Sequence, residues 1–281
     1  MQRQIQQLHY LLNGGYMRDY KTIRCGRGLG DAMYLQSVVR HLVNKGEKLH
    51  VMTDWPDVFK PLEGKIELRP FTRERIDIIA HYTVRKHYKE TTQFKDCCIQ
   101  AGITEPVDLV MDWKILNKTL VSSVKKKSKG KPIMLVSMVR NPMNRTDNFG
   151  IELLPDFEVM QQALNKIKEH YFLVHVGKGQ ELFKFEGIDL DLANATTVTD
   201  MIDLAYASSA MFGYCSFFVP LAESLNKKSL FVWSRRGLNS VEPFIRTITP
   251  QKILHKREIC HYIVDNWPDE KVDEVLNEFL Q

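Results

Sequence analysis

The sequence predicts an α/β fold made of two Rossmann-like halves that face each other across a cleft. Three observations carry this expectation. A strand, a glycine turn and an apolar-periodic helix follow one another between residues 20 and 44. A second strand–helix series restarts at Pro132, just after a lysine-rich stretch. The strands of both series are short and apolar and alternate with helices, as in a parallel sheet covered on both faces.

Lys21 to Cys25 reads as a buried strand, and Gly26, Gly28 and Gly30 make the turn after it. Asp31 to Asn44 reads as a helix, with Ala32, Leu35, Val38, Val39 and Leu42 on one face and Lys45-Gly46 ending it. Lys48 to Thr53 is the next strand, closed by a turn at Asp54-Trp55-Pro56-Asp57. Ile66 to Phe71 and Ile76 to Tyr82 read as further strands or buried segments, and Val107 to Trp113 as the segment that closes this half. Lys125 to Lys131, carrying five lysines, reads as a linker. Pro132 to Met138 is then a strongly apolar strand. Pro155 precedes a helix whose Phe157, Met160, Ala163, Leu164 and Ile167 share a face. Tyr171 to Val176 is a strand, and Thr199 caps a helix through Ala207. Ala210 to Tyr214 is a strand, followed by a turn at Cys215-Ser216, a short helix through Leu225 and a strand from Ser229 to Ser234. Pro268 opens an amphipathic helix with Val272, Val275, Leu276, Phe279 and Leu280 as its stripe. The expected organisation is one half over 1–124, a basic linker over 125–131 and a second half over 132–281. The last helix is free to pack back on the first half.

Composition bounds the function. The 281 residues are 44% hydrophobic and 26% charged, as in a globular protein. No apolar run approaches the ~20 residues that span a bilayer, and the first residues lack the apolar core of a signal peptide. The expectation is a cytoplasmic protein, in the host cytoplasm if the chain is viral. The net charge of +5 is unevenly spread. A second basic region holds Arg73, Arg75, Arg85, Lys86, His87 and Lys89. Such a surface suits an anionic partner: a sugar nucleotide, a phosphorylated glycan or nucleic acid. The five cysteines are scattered without a C-x-x-C pair, so neither a zinc site nor a disulfide framework is expected, and Cys97-Cys98 reads as a reduced helical pair.

The turn Cys25-Gly26-Arg27-Gly28-Leu29-Gly30-Asp31 is the richest motif. A strand, turn and helix in this order can hold a polar ligand at the helix N-terminus. Asp31 stands where a phosphate loop needs an N–H or a cation, so its negative charge suits a hydroxyl rather than a phosphate. The competing reading is a plain helix cap. The spacing is not the dinucleotide fingerprint, since the third glycine would fall on Asp31. Asp189-Leu190-Asp191 reads as a D-x-D pair that either binds metal or belongs to a strand-to-loop transition. His81, His87 and His175 stand near strand ends but lack a second histidine at ligand spacing, and no metal site is expected.

Gly28-Leu29-Gly30-Asp31-Ala32 before an apolar helix resembles the N-terminal motif of the heptosyltransferase-type (family 9) glycosyltransferases, which have the GT-B fold. Leu192 to Leu204 is similar to the segment before that family's donor loop. Ala210 to Ser234, with Leu221-Ala222-Glu223-Ser224-Leu225 in its helix, is similar to the donor-loop region. One departure is plain. The family's Asp-Ser-Gly turn and following histidine are replaced here by Tyr214-Cys215-Ser216-Phe217-Phe218 and Val219-Pro220.

The resemblance implies a metal-independent enzyme with a nucleotide-sugar co-substrate, no cofactor and an inverting reaction. Asp31 would be the general base; a carboxylate of pKa ~4 is ionised at neutral pH. Arg140, Arg145, Lys178, Ser216, Phe217 and Glu223 would hold the donor, with Glu223 on its ribose. Gly28, Gly30, Arg73, Arg85 and Lys86 would line the acceptor side. The acceptor would be a lipopolysaccharide-core sugar or, as for small GT-B enzymes of bacteriophages, a hydroxymethylated base in DNA. The alternative is a non-catalytic nucleotide- or nucleic-acid-binding protein that keeps the fold.

Overall fold

The computed structural model describes residues 20–72, 75–82, 91–140, 154–181, 183–238 and 249–281. Two parallel sheets dominate them. The first is built from β1 (Lys21–Arg24), β2 (Leu49–Met52), β3 (Glu67–Arg69) and β4 (Ile78–Ile79), in the order β3-β2-β1-β4. Helix α1 (Leu29–Asn44) connects β1 to β2, and a 3₁₀ helix at Pro56–Leu62 follows β2. Helix α2 (Gln93–Gln100) ends this half. A run without regular secondary structure over 103–116 then crosses to the second half, where helix α3 (Lys118–Ser128) begins.

The second sheet has the order β12-β11-β10-β5-β7-β9, parallel throughout. Its strands are β5 (Ile133–Ser137), β7 (Phe172–His175), β9 (Leu190–Asp191), β10 (Ala210–Tyr214), β11 (Lys228–Trp233) and β12 (Cys260–Val264). The short pair β6 (Val139–Arg140) and β8 (Gln180–Glu181) runs antiparallel beside it. Its helices are α4 (Phe157–Ile167), α5 (Val198–Ala207), α6 (Phe218–Ser224), α7 (Arg235–Leu238), α8 (Pro250–Ile253) and α9 (Asp269–Leu280).

Strand alternation sorts the core. Met134, Val136, Phe212, Leu230 and Val232 face α4 and α9 on one side of the second sheet. Ile133, Leu135, Met211, Phe231 and Trp233 face the other way. That second layer is continuous with the apolar interior of the first half, including Ile23, Val38, Leu49, Phe59 and Phe94. Helix α1 lies in the middle, and every residue from Ala32 to Val39 is buried. A helix enclosed on nearly all sides is a core element rather than a surface one. Its Ser37 hydroxyl donates to Val110 O (3.0 Å) and accepts from Val110 N–H (3.2 Å), tying down the crossing segment.

Several expectations are corrected here. Lys125–Lys127 are not in a linker but in the last turn of α3, whose Val121 and Val124 are buried. The three cations there sit well, because the carbonyl end of a helix is negative. Val107 to Trp113 does not close the first half; it is the crossing segment, with Met111 N–H donating to Ser224 O at 2.8 Å. The cap of α5 is Thr197, paired with Asp200 in a capping box, and Thr199 lies inside the helix. Helix α9 does not return to the first half. Val272, Leu276 and Phe279 bury against the second sheet and α4, and its Asp273 pairs with Lys166 of α4.

Candidate functional site

In an open parallel sheet, ligands bind beyond the carboxyl ends of the strands where the chain order reverses. In the first sheet the chain leaves β1 for β2 and β3, then returns to the other side as β4. Cys25 directly follows β1, and Ala80-His81-Tyr82 directly follow β4. The Ala80 N–H donates to Arg24 O at 2.9 Å and fixes the two strand ends side by side. Asp31 reaches the same place from the first turn of α1.

Cys25 Sγ and His81 Nδ1 are 3.6 Å apart, and the ligand-type atoms of Cys25, Asp31 and His81 all lie within 4.8 Å of one another. Cys25 is buried, whereas Asp31 and His81 are half-buried. Asp31 Oδ2 accepts the Gly28 N–H at 3.0 Å, and Tyr82 donates a further hydrogen bond to the carboxylate. Asp31 therefore does cap its helix. Capping does not exhaust it, since a carboxylate offers about four lone-pair directions.

The electrostatics are coupled. Burial works to raise the Cys25 thiol, but hydrogen bonds from Cys97 and His81 outweigh it and hold it below its ordinary value. His81 is raised, chiefly by its contact with Cys25 and against its own burial, with the Asp31 charge adding. Burial first and the contact with Cys25 second push Cys97 well up. Burial and then the Asp31 charge do the same to Tyr82.

The glycines of the turn serve space rather than backbone freedom. Gly28 has φ −73° and ψ 152°, which any residue adopts. A Cβ on Gly26 would stand 2.1 Å from Asp31 Oδ2 and 3.0 Å from His81 Cε1. A Cβ on Gly28 would stand 3.1 Å from the same oxygen. Gly30 points elsewhere: a Cβ there would meet Phe217 Cα at 3.4 Å. Gly30 is thus a packing position at the seam between the halves.

Phe217 follows β10, at the second sheet's own reversal point, where the chain order turns between β5 and β10. Ser216 is half-buried, and its Oγ accepts the Phe218 N–H at 3.3 Å. The two reversal points therefore meet at the packing of Gly30 on Phe217, and Asp31 is the next residue. Its carboxylate aims toward the ends of β1 and β4.

The remaining predicted positions divide. Lys178 is exposed at the carboxyl end of β7, in a turn where Gly177 has φ +133° and Gly179 +146°. Arg140 lies just past β5, in β6. Arg145, Arg73, Arg85 and Lys86 lie outside the described residues. Glu223 is fully buried. Its Oε1 accepts the Lys256 N–H at 2.6 Å, and burial raises its carboxyl to about 7. It anchors the chain before β12 and is not placed to meet a ribose. The D-x-D carboxylates are also committed locally, Asp189 to Leu173 N–H at 2.7 Å and Asp191 to His175 and Ala193 N–H. A cavity beside the ends of β11 and β12 is lined by Pro155, Asp156, Arg235, Arg236, Asp265 and Asn266.

Neither a protein-family profile nor a curated protein matches the sequence. Solved structures do match the fold. The E. coli ADP-heptose LPS heptosyltransferase II superposes with a TM-score of 0.58 at 15% identity, over 92% of this chain and 98% of that one. A family 9 glycosyl transferase from Veillonella parvula gives 0.58 at 10%, over 92% and 97%. E. coli heptosyltransferase WaaC with ADP gives 0.56 at 8%, over 92% and 99%. The fold is GT-B. Among the described residues, no helix of this GT-B chain is long and apolar enough to cross a membrane. Cys25 and His81 are residues that the sequence reading named, in the glycine turn and near a strand end, but did not assign to the site. Their signal was positional, as each is the first or second residue past a strand end.

Proposed function

We propose that the protein is a glycosyltransferase that moves a sugar from a nucleotide-sugar donor to an acceptor hydroxyl with inversion. One observation carries this reading: Asp31 stands half-buried at the first sheet's reversal point, one residue from the seam with the second sheet's reversal point. In the transfer, Asp31 takes the acceptor O–H proton as that oxygen bonds to the anomeric carbon. The bond from that carbon to the donor's phosphate oxygen breaks, and the nucleoside diphosphate leaves with the electron pair. Donors for its growing charge are Lys178 and the backbone around Ser216–Phe217, with Arg235 and Arg236 on the same carboxyl edge. The neighbours named for lipopolysaccharide heptosyl transfer favour a glycan acceptor. Of the basic stretches that favoured DNA, Arg73, Arg85 and Lys86 lie outside the described residues, and Lys125–Lys131 lies at the end of α3. A DNA acceptor would make turnover fall steeply with salt, and a neutral glycan would not.

The test is Asp31→Asn, which keeps the shape and removes the base. Turnover should fall roughly 10²- to 10⁴-fold, while the rise in melting temperature caused by a bound nucleotide sugar persists. Undiminished turnover in the variant would sink the reading. A second reading, a binder without turnover, is favoured by the replaced residues at 214–220; it expects ligand-induced stabilisation in both proteins and transfer in neither.

A further inference from the structure

The three groups gathered at the ends of β1 and β4 form a donor set of one sulfur, one imidazole nitrogen and one carboxylate oxygen. We propose that Cys25 Sγ, His81 Nδ1 and one oxygen of Asp31 form a binding site for a zinc-class divalent cation. The geometry favours such an ion over a hard one. Zinc bonds of about 2.3 Å to sulfur and 2.0–2.1 Å to nitrogen, at a tetrahedral angle, set those two atoms about 3.6 Å apart. Cys25 Sγ and His81 Nδ1 are 3.6 Å apart. The Asp31 oxygen lies within 4.8 Å of both, so a small rotation of a half-buried side chain completes three ligands. Magnesium and calcium take oxygen sets and are disfavoured by a thiolate.

The surroundings are those of a site rather than a chance meeting. The ligands come from three separate segments, and strand pairing fixes two of them. Gly26 leaves the volume into which Asp31 and His81 project, since a Cβ there would lie 2.1 Å from the carboxylate. The Cys97 side chain hydrogen-bonds to Cys25 from α2, an outer-sphere contact of the kind that orients a metal-bound sulfur. Asp31 and His81 are half-buried, which leaves an entry path. Three protein ligands leave a fourth position for water or another small oxygen ligand. On binding, the Cys25 S–H bond gives its proton to solvent as the sulfur–metal bond forms. The binding stands apart from the transferase reading. Its consequence rests on that reading: an ion that takes an Asp31 lone pair competes with the acceptor proton, and zinc inhibits transfer.

Cobalt(II) titration of the full-length protein, followed by absorbance, tests the site without any turnover. One equivalent of cobalt should raise a sulfur-to-metal charge-transfer band in the near ultraviolet, and zinc should displace it. Cys25→Ser should abolish the band. His81→Gln should weaken cobalt binding by more than about tenfold, since losing even an outer-sphere partner of a metal ligand costs about that much. Cys260→Ser, at the far end of the second sheet, should keep the band and so controls for any buried-cysteine effect on folding. Circular dichroism checks that each variant is folded. No band in the wild-type protein, or a band that survives in folded Cys25→Ser, would overturn the site.

Discussion

Gly26 shows how a single hydrogen atom shapes the site. The 2.1 Å separation between its ideal Cβ and Asp31 Oδ2 is far inside van der Waals contact. Gly26→Ala must move the carboxylate or the turn. The expected cost is about 1–3 kcal/mol of stability, typical of overpacking, read from urea unfolding, together with a loss of transfer. A variant as stable and active as the parent would show that the turn gives way freely. Glu223 carries a second residue-scale prediction. Its carboxyl titrates at about 7 in the folded protein, against 4.5 for an ordinary glutamate, because burial disfavours the charge. Below the lower value both states are protonated and the group costs nothing. As pH rises from 4.5 to 7 the unfolded chain ionises first, so stability is lost, by about 3 kcal/mol once pH exceeds 7. Glu223→Gln removes that loss. The difference in unfolding free energy between variant and parent should therefore grow between pH 5 and pH 8; parallel profiles would remove the claim. The sequence marked Asp31 through its glycine turn. It misread Glu223, because a glutamate on a short helix gives no local sign of which strand will cover it.

Among elements, the crossing segment matters most. Asp203 of α5 is fully buried and accepts from Trp113 Nε1 (2.6 Å), Leu116 N (3.1 Å) and Asn117 N (2.6 Å). One carboxylate thereby closes the passage from the first half onto α3. Asp203→Ala would leave the buried Trp113 Nε1 donor without a partner and strip two part-buried backbone N–H groups of theirs, so a loss of roughly 1–3 kcal/mol is expected in chemical denaturation. A loss below ~1 kcal/mol would mean that water replaces the carboxylate. Other ties cross the same boundary. Thr199 accepts from Lys60 Nζ (2.7 Å) and donates to Asp57 (3.0 Å), and Thr92 meets His255 at 3.1 Å. None of these pairs is legible in sequence, since their members lie 86 or more positions apart. The strands at 133–137, 172–175, 210–214 and 228–233 were legible, because three or four apolar residues in a row within a short segment have few other fates. Strand β12 escaped notice: His261 and Tyr262 interrupt its apolar run, and only pairing with β11 makes it a strand.

At the scale of the molecule, the two halves share one apolar interior from Ile23 to Val264. Helix α1 touches both the first sheet and α6, with Gly30 seated on Phe217. Halves joined through a common core should unfold together. Calorimetry is expected to show one transition, with equal calorimetric and van't Hoff enthalpies; two resolved transitions would contradict the shared core. The sequence by itself determined the α/β class, the two strand–helix series and the turn that presents Asp31. These follow from short-range pattern: runs of apolar residues, glycine spacing and helix periodicity. Only the tertiary structure decided that the lysine run is a helix end, that Glu223 is an anchor, and that Cys25 and His81 join Asp31. Those outcomes depend on which strands pair, and β1 meets β4 across 50 and more residues of chain, a choice set by burial of the whole core rather than by any local signal.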